Sequence, residues 1–204
     1  MSIQSKSTST VFIVDDDSAI RSAMQALMES VDLPHEIFAS ADDFLAKETR
    51  QRPGCLVLDI RMPGLGGLEL QQELISRGNT LPIIFITGHG DVPMAVEAMQ
   101  KGAVDFIQKP FRDQELLDRI RKALATDKKR REKRERVSQV ADRLATLTKR
   151  EREVFDLVVT GKPNKIIAYE LDVSQRTVEI HRARVMEKMQ AGSLADLVKM
   201  HMTL

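Results

Sequence analysis

Three short apolar runs in the first half of the chain each end on an acid or a hydroxyl, and that pattern leaves few folds open. Val11-Phe-Ile-Val14 runs into Asp15-Asp16-Asp17, Cys55-Leu-Val-Leu58 into Asp59, and Pro82-Ile-Ile-Phe-Ile86 into Thr87. An unbroken apolar run that stops at a turn signal, as the second does at Pro63, reads as a strand buried on both faces. Two further runs lie at 35–39 and 103–107. Between the runs, apolar residues recur at steps of three and four, as in Ile20, Met24, Leu27, Met28 and Val31, and again over 68–74, 92–99 and 116–124. Five alternating βα units predict a parallel sheet with helices on both faces. Ligands of such sheets bind at the carboxyl ends of the strands. Asp15, Asp16, Asp59 and Thr87 are therefore expected to converge.

The net charge of +1 over 204 residues conceals a division. Residues 1–126 carry 13 Lys/Arg against 18 Asp/Glu, and residues 127–204 carry 18 against 12. An acidic half joined to a basic half implies different partners for the two, with nucleic acid the expected partner of the second. Between them runs Lys128-Lys-Arg-Arg-Glu-Lys-Arg-Glu-Arg136, with no apolar member. This is either an exposed extension of the preceding helix or a mobile linker, and helical spacing resumes at Val137, Val140, Ala141 and Leu144. From Leu147 the pattern is all helical. Thr148 and Glu151 form a capping box; Asn164, Ser174 and Ser193 are expected to cap three more helices. Two short helices, a tight turn at 172–174 and a longer helix over 175–189 describe a helix-turn-helix.

Asp59 can act as a nucleophile if its charge is managed by its neighbours. Beside Asp15 and Asp16 it would repel an anionic substrate unless a hard cation lay between them. Mg²⁺ suits oxygen ligands and keeps several waters. Asp16 and Asp59 as direct ligands, Asp15 through water and one backbone carbonyl near Arg61 would satisfy it. Lys109 and the Thr87 hydroxyl are the donors available to an arriving phosphoryl group, and Lys109-Pro110 permits a cis peptide.

Residues 10–125 resemble the receiver domain of bacterial two-component response regulators. The likeness is carried by Val14-Asp-Asp16, Leu58-Asp-Ile-Arg-Met-Pro63 with Gly67, Ile86-Thr87-Gly88 and Lys109-Pro110-Phe111. It implies that Asp59 accepts a phosphoryl group from the histidine of a sensor kinase, that Asp15 and Asp16 hold Mg²⁺, and that Thr87 and Lys109 read the phosphoryl oxygens. Gly66 stands where relatives often place a capping Ser or Asp, which weakens that cap here. Residues 146–202 resemble the LuxR-type helix-turn-helix, through Asn164-Lys165, Ile167-Ala168, Leu171, Ser174, Thr177-Val-Glu179, His181 and Lys188-Met189. The stretch from Thr87 to Val96 points to the FixJ subgroup.

The resemblance implies a switch in which Thr87 moves toward the phosphoryl group and Phe106 follows inward, although Phe106 also reads as plain core. It further implies a dimer surface on the helix at 92–100 and the strand beside it. Val92, Val96 and Met99 form one stripe there, expected to be mostly core, with Met94, Ala95 and Gln100 exposed. An isologous contact would pair two DNA-binding domains.

In the helix over 175–189, Val178, Val185 and Met189 fall on one line and should face the core. Ile180, Ala183 and Arg176 fall nearly opposite, flanked by Arg184 and Glu179, where base edges would be read. Lys165, Arg176, Thr177, Arg184 and Lys188 border that stripe as candidate phosphate contacts. Arg182 projects toward the core and reads as an intradomain ion pair, and His181 as a packed, hydrogen-bonded side chain.

The expectation is a flavodoxin-like, doubly wound (βα)5 receiver with a second, all-α helix-turn-helix domain. Residues 1–9 are expected to be disordered, 10–126 to form the receiver, 127–145 a charged helical linker and 146–204 the DNA-binding domain. Cys55, the one cysteine, reads as a small core residue and fits a reducing compartment. No apolar stretch approaches membrane length and the N-terminus lacks a signal peptide's apolar core, so the expectation is cytoplasmic, with no membrane partner. The expected partners are a sensor histidine kinase, promoter DNA, a second copy when phosphorylated, and RNA polymerase. The protein is expected not to be an enzyme in the usual sense. The alternatives are a binding module indifferent to phosphorylation, and a Mg²⁺-dependent phosphatase. Arg61 stands where such a phosphatase would carry a second acid.

Overall fold

Five strands form one parallel sheet in the order β2-β1-β3-β4-β5: β1 Thr10–Val14, β2 His35–Phe38, β3 Gly54–Asp59, β4 Ile83–Thr87 and β5 Asp105–Gln108. The structure is a computed structural model and describes residues 8–47, 52–88 and 92–203. Within the described residues the chain divides into two compact units, Met1–Arg130 and Arg131–Leu204. The expectation for residues 1–9 lies outside the described residues, apart from Thr8 and Ser9.

The strands are continuous apolar runs because both sheet faces are covered. Successive side chains alternate between two cores. Val11, Ile13, Cys55 and Val57 pack with Met24 and Met28 of α1 (Ser18–Ser30) and with Leu116 and Ile120 of α5 (Asp113–Ala145). Phe12, Val14, Leu56 and Leu58 pack on the other face with α2 (Ala41–Lys47), α3 (Gly67–Ser76) and α4 (Val92–Gln100). Burial pushes the Cys55 thiol up to about 12, assisted by the charge of Asp127, so it is a core side chain and not a nucleophile.

Helix α5 is continuous over 33 residues, so the charged run is an ordered helical extension. The segment 127–145 does not stand apart from the two units, however. Asp127 is buried and accepts a hydrogen bond from the Gly54 amide at 3.1 Å, and Arg130 donates to the Thr80 carbonyl at 2.7 Å. At the other end, Val140 and Leu144 are buried in the core of the helical unit.

That unit adds α6 (Lys149–Val159), α7 (Asn164–Glu170), α8 (Gln175–Met189) and α9 (Leu194–Thr203) around Val154, Phe155, Val158, Ile167, Val178, Val185, Met189 and Leu197. Phe155 is wholly buried there, and its truncation to Ala would cost about 3–5 kcal/mol. The capping box is formed in both directions, Glu151 N to Thr148 Oγ1 and Thr148 N to Glu151 Oε2. Ser174 caps α8 through the Thr177 amide, and Ser193 accepts from the Asp196 amide at the start of α9. Asn164 departs from expectation: Pro163 holds the N-cap position of α7, and Asn164 is its first helical residue.

Candidate functional site

The acids at the strand ends meet as expected. Asp15 follows β1 and Asp59 ends β3, its neighbour in the sheet; one carboxylate oxygen from each of Asp15, Asp16 and Asp59 lies within 4.8 Å of the others. Asp15 and Asp59 are buried and Asp16 is exposed, so the cluster opens to solvent on one side. Lys109 bridges them from beyond β5, its Nζ donating to Asp15 Oδ2 and to Asp59 Oδ2, each at 2.9 Å. The Lys109 amide donates to the Thr87 carbonyl at 2.8 Å, which binds the lysine's backbone to the end of β4. The Lys109-Pro110 bond is cis.

Smaller contacts hold the carboxylates still. Asp15 Oδ1 accepts from the Asp17 amide at 2.9 Å, and Asp59 Oδ1 from the Arg61 amide at 3.3 Å. Asp17 turns its own carboxylate to cap α1, leaving Asp16 to face the site. Beneath, the Gly67 amide donates to the Ile60 carbonyl, and a side chain at Gly67 would collide with the Asp59 carbonyl. The loop after β3 thus packs down only because residue 67 has no Cβ. Gly66 caps α3 without a side-chain hydrogen bond, in line with the weaker cap expected.

The electrostatics are unbalanced. Burial raises the Asp59 pKa above the usual carboxylate range, opposed by the Lys109 hydrogen bond and charge and reinforced by Asp15. Burial also works against the Lys109 charge, but its bonds to Asp59 and Asp15 outweigh that and hold its pKa above the ordinary lysine value. Lys109 is shared by Asp15 and Asp59 with Asp16 close by, and all three acids are hard oxygen donors. Such a set fits a Mg²⁺ ion.

Thr87 is buried at the end of β4, beside the site. Phe106 is not core: it is 37% exposed on the outer side of β5. On α4 the expected faces are exchanged. Ala95 is fully buried with Ala98, whereas Val96 is 49% exposed and Met99 38%. Small side chains face inward because they let the helix backbone approach the sheet, and the larger ones are displaced outward. Met94 is partly buried against the core, Gln100 is exposed as expected, and the Val92 side chain lies outside the described residues.

In the helical unit, Val178, Val185 and Met189 are buried, and Arg176, Glu179, Ile180, Ala183 and Arg184 are exposed on the opposite face of α8. Lys165 is exposed on α7, and Thr177 is half-buried at the start of α8. Lys188 corrects the expectation of a phosphate contact. Its Nζ donates to Glu151 Oε2 at 2.6 Å and to the Thr146 carbonyl at 3.1 Å, so it is already engaged inside the unit. Its bond, with those from Thr148, holds the Glu151 carboxyl down at about 2. Arg182 is intradomain, but its partner is the neutral Asn164 amide oxygen at 2.8 Å, where an ion pair was expected. His181 packs inward, although its buried Nδ1 has no hydrogen-bond partner among the described residues.

An apolar groove of about 280 Å³, not foreseen from the sequence, lies between α1 and the start of α5, lined by Ala19, Ile20, Ala23, Met24, Leu27, Phe111 and Asp113. Its walls follow directly on Asp15–Asp17 and on Lys109. The signal was the half-apolar outer face of α1, legible only once Phe111 is known to lie across from it.

Residues 11–121 match the response regulator receiver domain, and residues 145–201 match the luxR family of bacterial regulatory proteins. The chain belongs to the response regulators. Response regulator protein TodT of Pseudomonas putida is 47% identical over 191 residues, covering 94% of this chain and 84% of that protein. Nodulation protein W of Bradyrhizobium diazoefficiens is 50% identical over 194 residues, covering 95% and 86%. Among solved structures, response regulator StyR matches with a TM-score of 0.89 at 43% identity, covering 97% of this chain and all of that one. Full-length FixJ from B. japonicum matches with a TM-score of 0.60 at 40% identity, covering 97% and 98%. A receiver followed by a luxR-type domain makes this regulator a phosphorylation-dependent, DNA-binding transcription regulator of a two-component system. Among the described residues, no helix is long and apolar enough to cross a membrane.

Proposed function

We propose that Asp59 is the phosphoryl acceptor of this regulator, and that its modification drives pairing of two chains and occupancy of promoter DNA. The observation that carries the assignment is the bridging of Asp15 and Asp59 by Lys109 beside an exposed third acid. In the transfer, the phosphorus–nitrogen bond to a sensor kinase's histidine breaks, and a bond from an Asp59 carboxylate oxygen to phosphorus forms. Lys109, released from Asp59, holds the phosphoryl oxygens, and the Thr87 hydroxyl turns to another of them. Asp15, Asp16, Asp59 and the Arg61 carbonyl would hold Mg²⁺, which supplies neutralisation of the charge gathering at the acceptor. The groove between α1 and α5 opens beside the site and suits the apolar face of a kinase helix.

Val96, Met99 and Phe106 form the exposed apolar residues of the α4–β5 face, and that face fits an isologous contact with a second copy. On α8, Ile180 and Ala183 occupy the base-reading stripe with Glu179, while Lys165, Arg176, Thr177 and Arg184 border it toward the phosphates. RNA polymerase is the further partner such occupancy would serve, in a cytoplasmic setting.

The test is labelling with acetyl phosphate and Mg²⁺. One phosphoryl group should be gained, none in Asp59→Asn, and none when EDTA removes the metal. Labelling that survives in Asp59→Asn overturns the assignment.

A further inference from the structure

Four cationic side chains lie along α8, and their geometry divides them. Arg176 and Arg184 are exposed on the outer face, while Lys188 is committed to Glu151. Arg182 is the fourth. It lies one turn from both Val178 and Val185, on the buried side of the helix, and it is half-buried itself. Its Nη1 crosses to α7 and donates to Asn164 Oδ1 at 2.8 Å.

Asn164 is unusual in what it leaves undone. Asparagine at the start of a helix ordinarily spends its side-chain oxygen on the local backbone amides. Here Pro163 occupies the N-cap position, the cap makes no side-chain hydrogen bond, and the Asn164 oxygen goes to the neighbouring helix. The residue after it is the exposed Lys165. The Arg182–Asn164 bond therefore joins the base-reading helix to the point on α7 from which Lys165 projects.

We infer that Arg182 is a positioning residue: through Asn164 it locks α7 to α8 and sets where Lys165 meets the DNA backbone relative to the reading stripe. The inference rests on the DNA-binding reading above. Base edges are read only when phosphate contacts fix the register of the helix in the groove. A lock between the two helices fixes that register without touching DNA. With its Nη1 turned inward to that amide, Arg182 acts on the DNA through the pair of helices.

The experiment is a double-mutant cycle on the full chain, treated with acetyl phosphate and Mg²⁺, against a duplex selected for binding and a scrambled one. Arg182→Ala and Asn164→Ala should each weaken affinity for the selected duplex about three- to tenfold, the order of one lost hydrogen bond. The double variant should be no weaker than the weaker single, because one interaction cannot be lost twice. The salt slope of binding should match wild type in all three variants. If Arg182→Ala alone lowers the slope by about one and the losses add, Arg182 holds a phosphate and the inference falls. If thermal midpoints drop but affinity, measured well below them, is unchanged, the bond is merely structural and the inference falls as well. Failure of the wild-type chain to prefer the selected duplex would instead overturn the DNA-binding reading on which it rests.

Discussion

Each half of the molecule places a lysine against buried carboxylates, and the two arrangements have opposite consequences. In the receiver, Lys109 is shared between Asp15 and Asp59 with Asp16 close by, and Asp59 is left above the usual carboxylate range because burial wins. In the helical unit, Lys188 serves one acid, Glu151, which also accepts from the Thr148 amide, and the acid falls to about 2. The first set carries more negative charge than Lys109 alone offsets, which suits the metal and phosphoryl group proposed for it. The second set is complete and acts as a strut. The same residue types thus mark a working site or a structural tie according to whether their charges balance.

The contrast breaks most readily at the lysines. Lys109→Ala should slow labelling by acetyl phosphate on the order of 100-fold, since a donor aimed at the transferring group is lost. Its thermal midpoint should change little in Mg²⁺, which on the proposed reading would neutralise the acids it leaves. A labelling rate within a factor of three of wild type would deny Lys109 a role at the site.

Lys188→Ala should do the reverse. It leaves the buried Glu151 short of a partner, at a cost of about 2 kcal/mol measured by urea unfolding, with the labelling rate unchanged. The depressed Glu151 pKa sets the sign with pH. The stabilisation is fully present above the ordinary carboxylate value and is lost as pH falls through it toward about 2. Wild type and Lys188→Ala should therefore converge in stability in acid. A gap that stays constant down to pH 2 would mean that the pair is not the source.

A smaller effect has the opposite sign. With its pKa raised, Asp59 favours the folded state when protonated, so its contribution is present below the ordinary carboxylate value and lost as pH rises through the raised one. Without metal, Asp59→Asn should melt slightly above wild type at neutral pH, and the advantage should vanish in acid. A mutant less stable than wild type at neutral pH would show that the site is not strained by its charge.

The sheet and the acid cluster were legible in the sequence because strands buried on both faces are unbroken apolar runs, and because chain order places their ends together. The capping box at Thr148 and Glu151 was legible because it spans three residues. Long-range partners were not. Glu151 lies 37 residues before Lys188, and Gly54 73 residues before Asp127, with no local pattern to join them. On α4, Met94, Ala95, Val96, Ala98 and Met99 are apolar nearly all round, so periodicity could not tell the buried face from the free one. The difference decides how the dimer surface is tested. Glu at Ala95 would place a charge in the core and unfold the receiver, whereas Val96→Glu should leave labelling intact and keep the labelled chain monomeric by light scattering. Labelled Val96→Glu that still pairs would move the contact elsewhere.

The buried Asp127 carboxylate, answering the first amide of β3, bears on how modules of this kind are exchanged. A recombination that joined the receiver to a new output domain just after residue 126 would take away an acceptor belonging to the receiver itself. One that crossed over after Arg130 would carry the Asp127 and Arg130 contacts along with the sheet they serve. The border at which this protein can be inherited in parts therefore lies inside its longest helix, several residues beyond the last apolar side chain of the receiver.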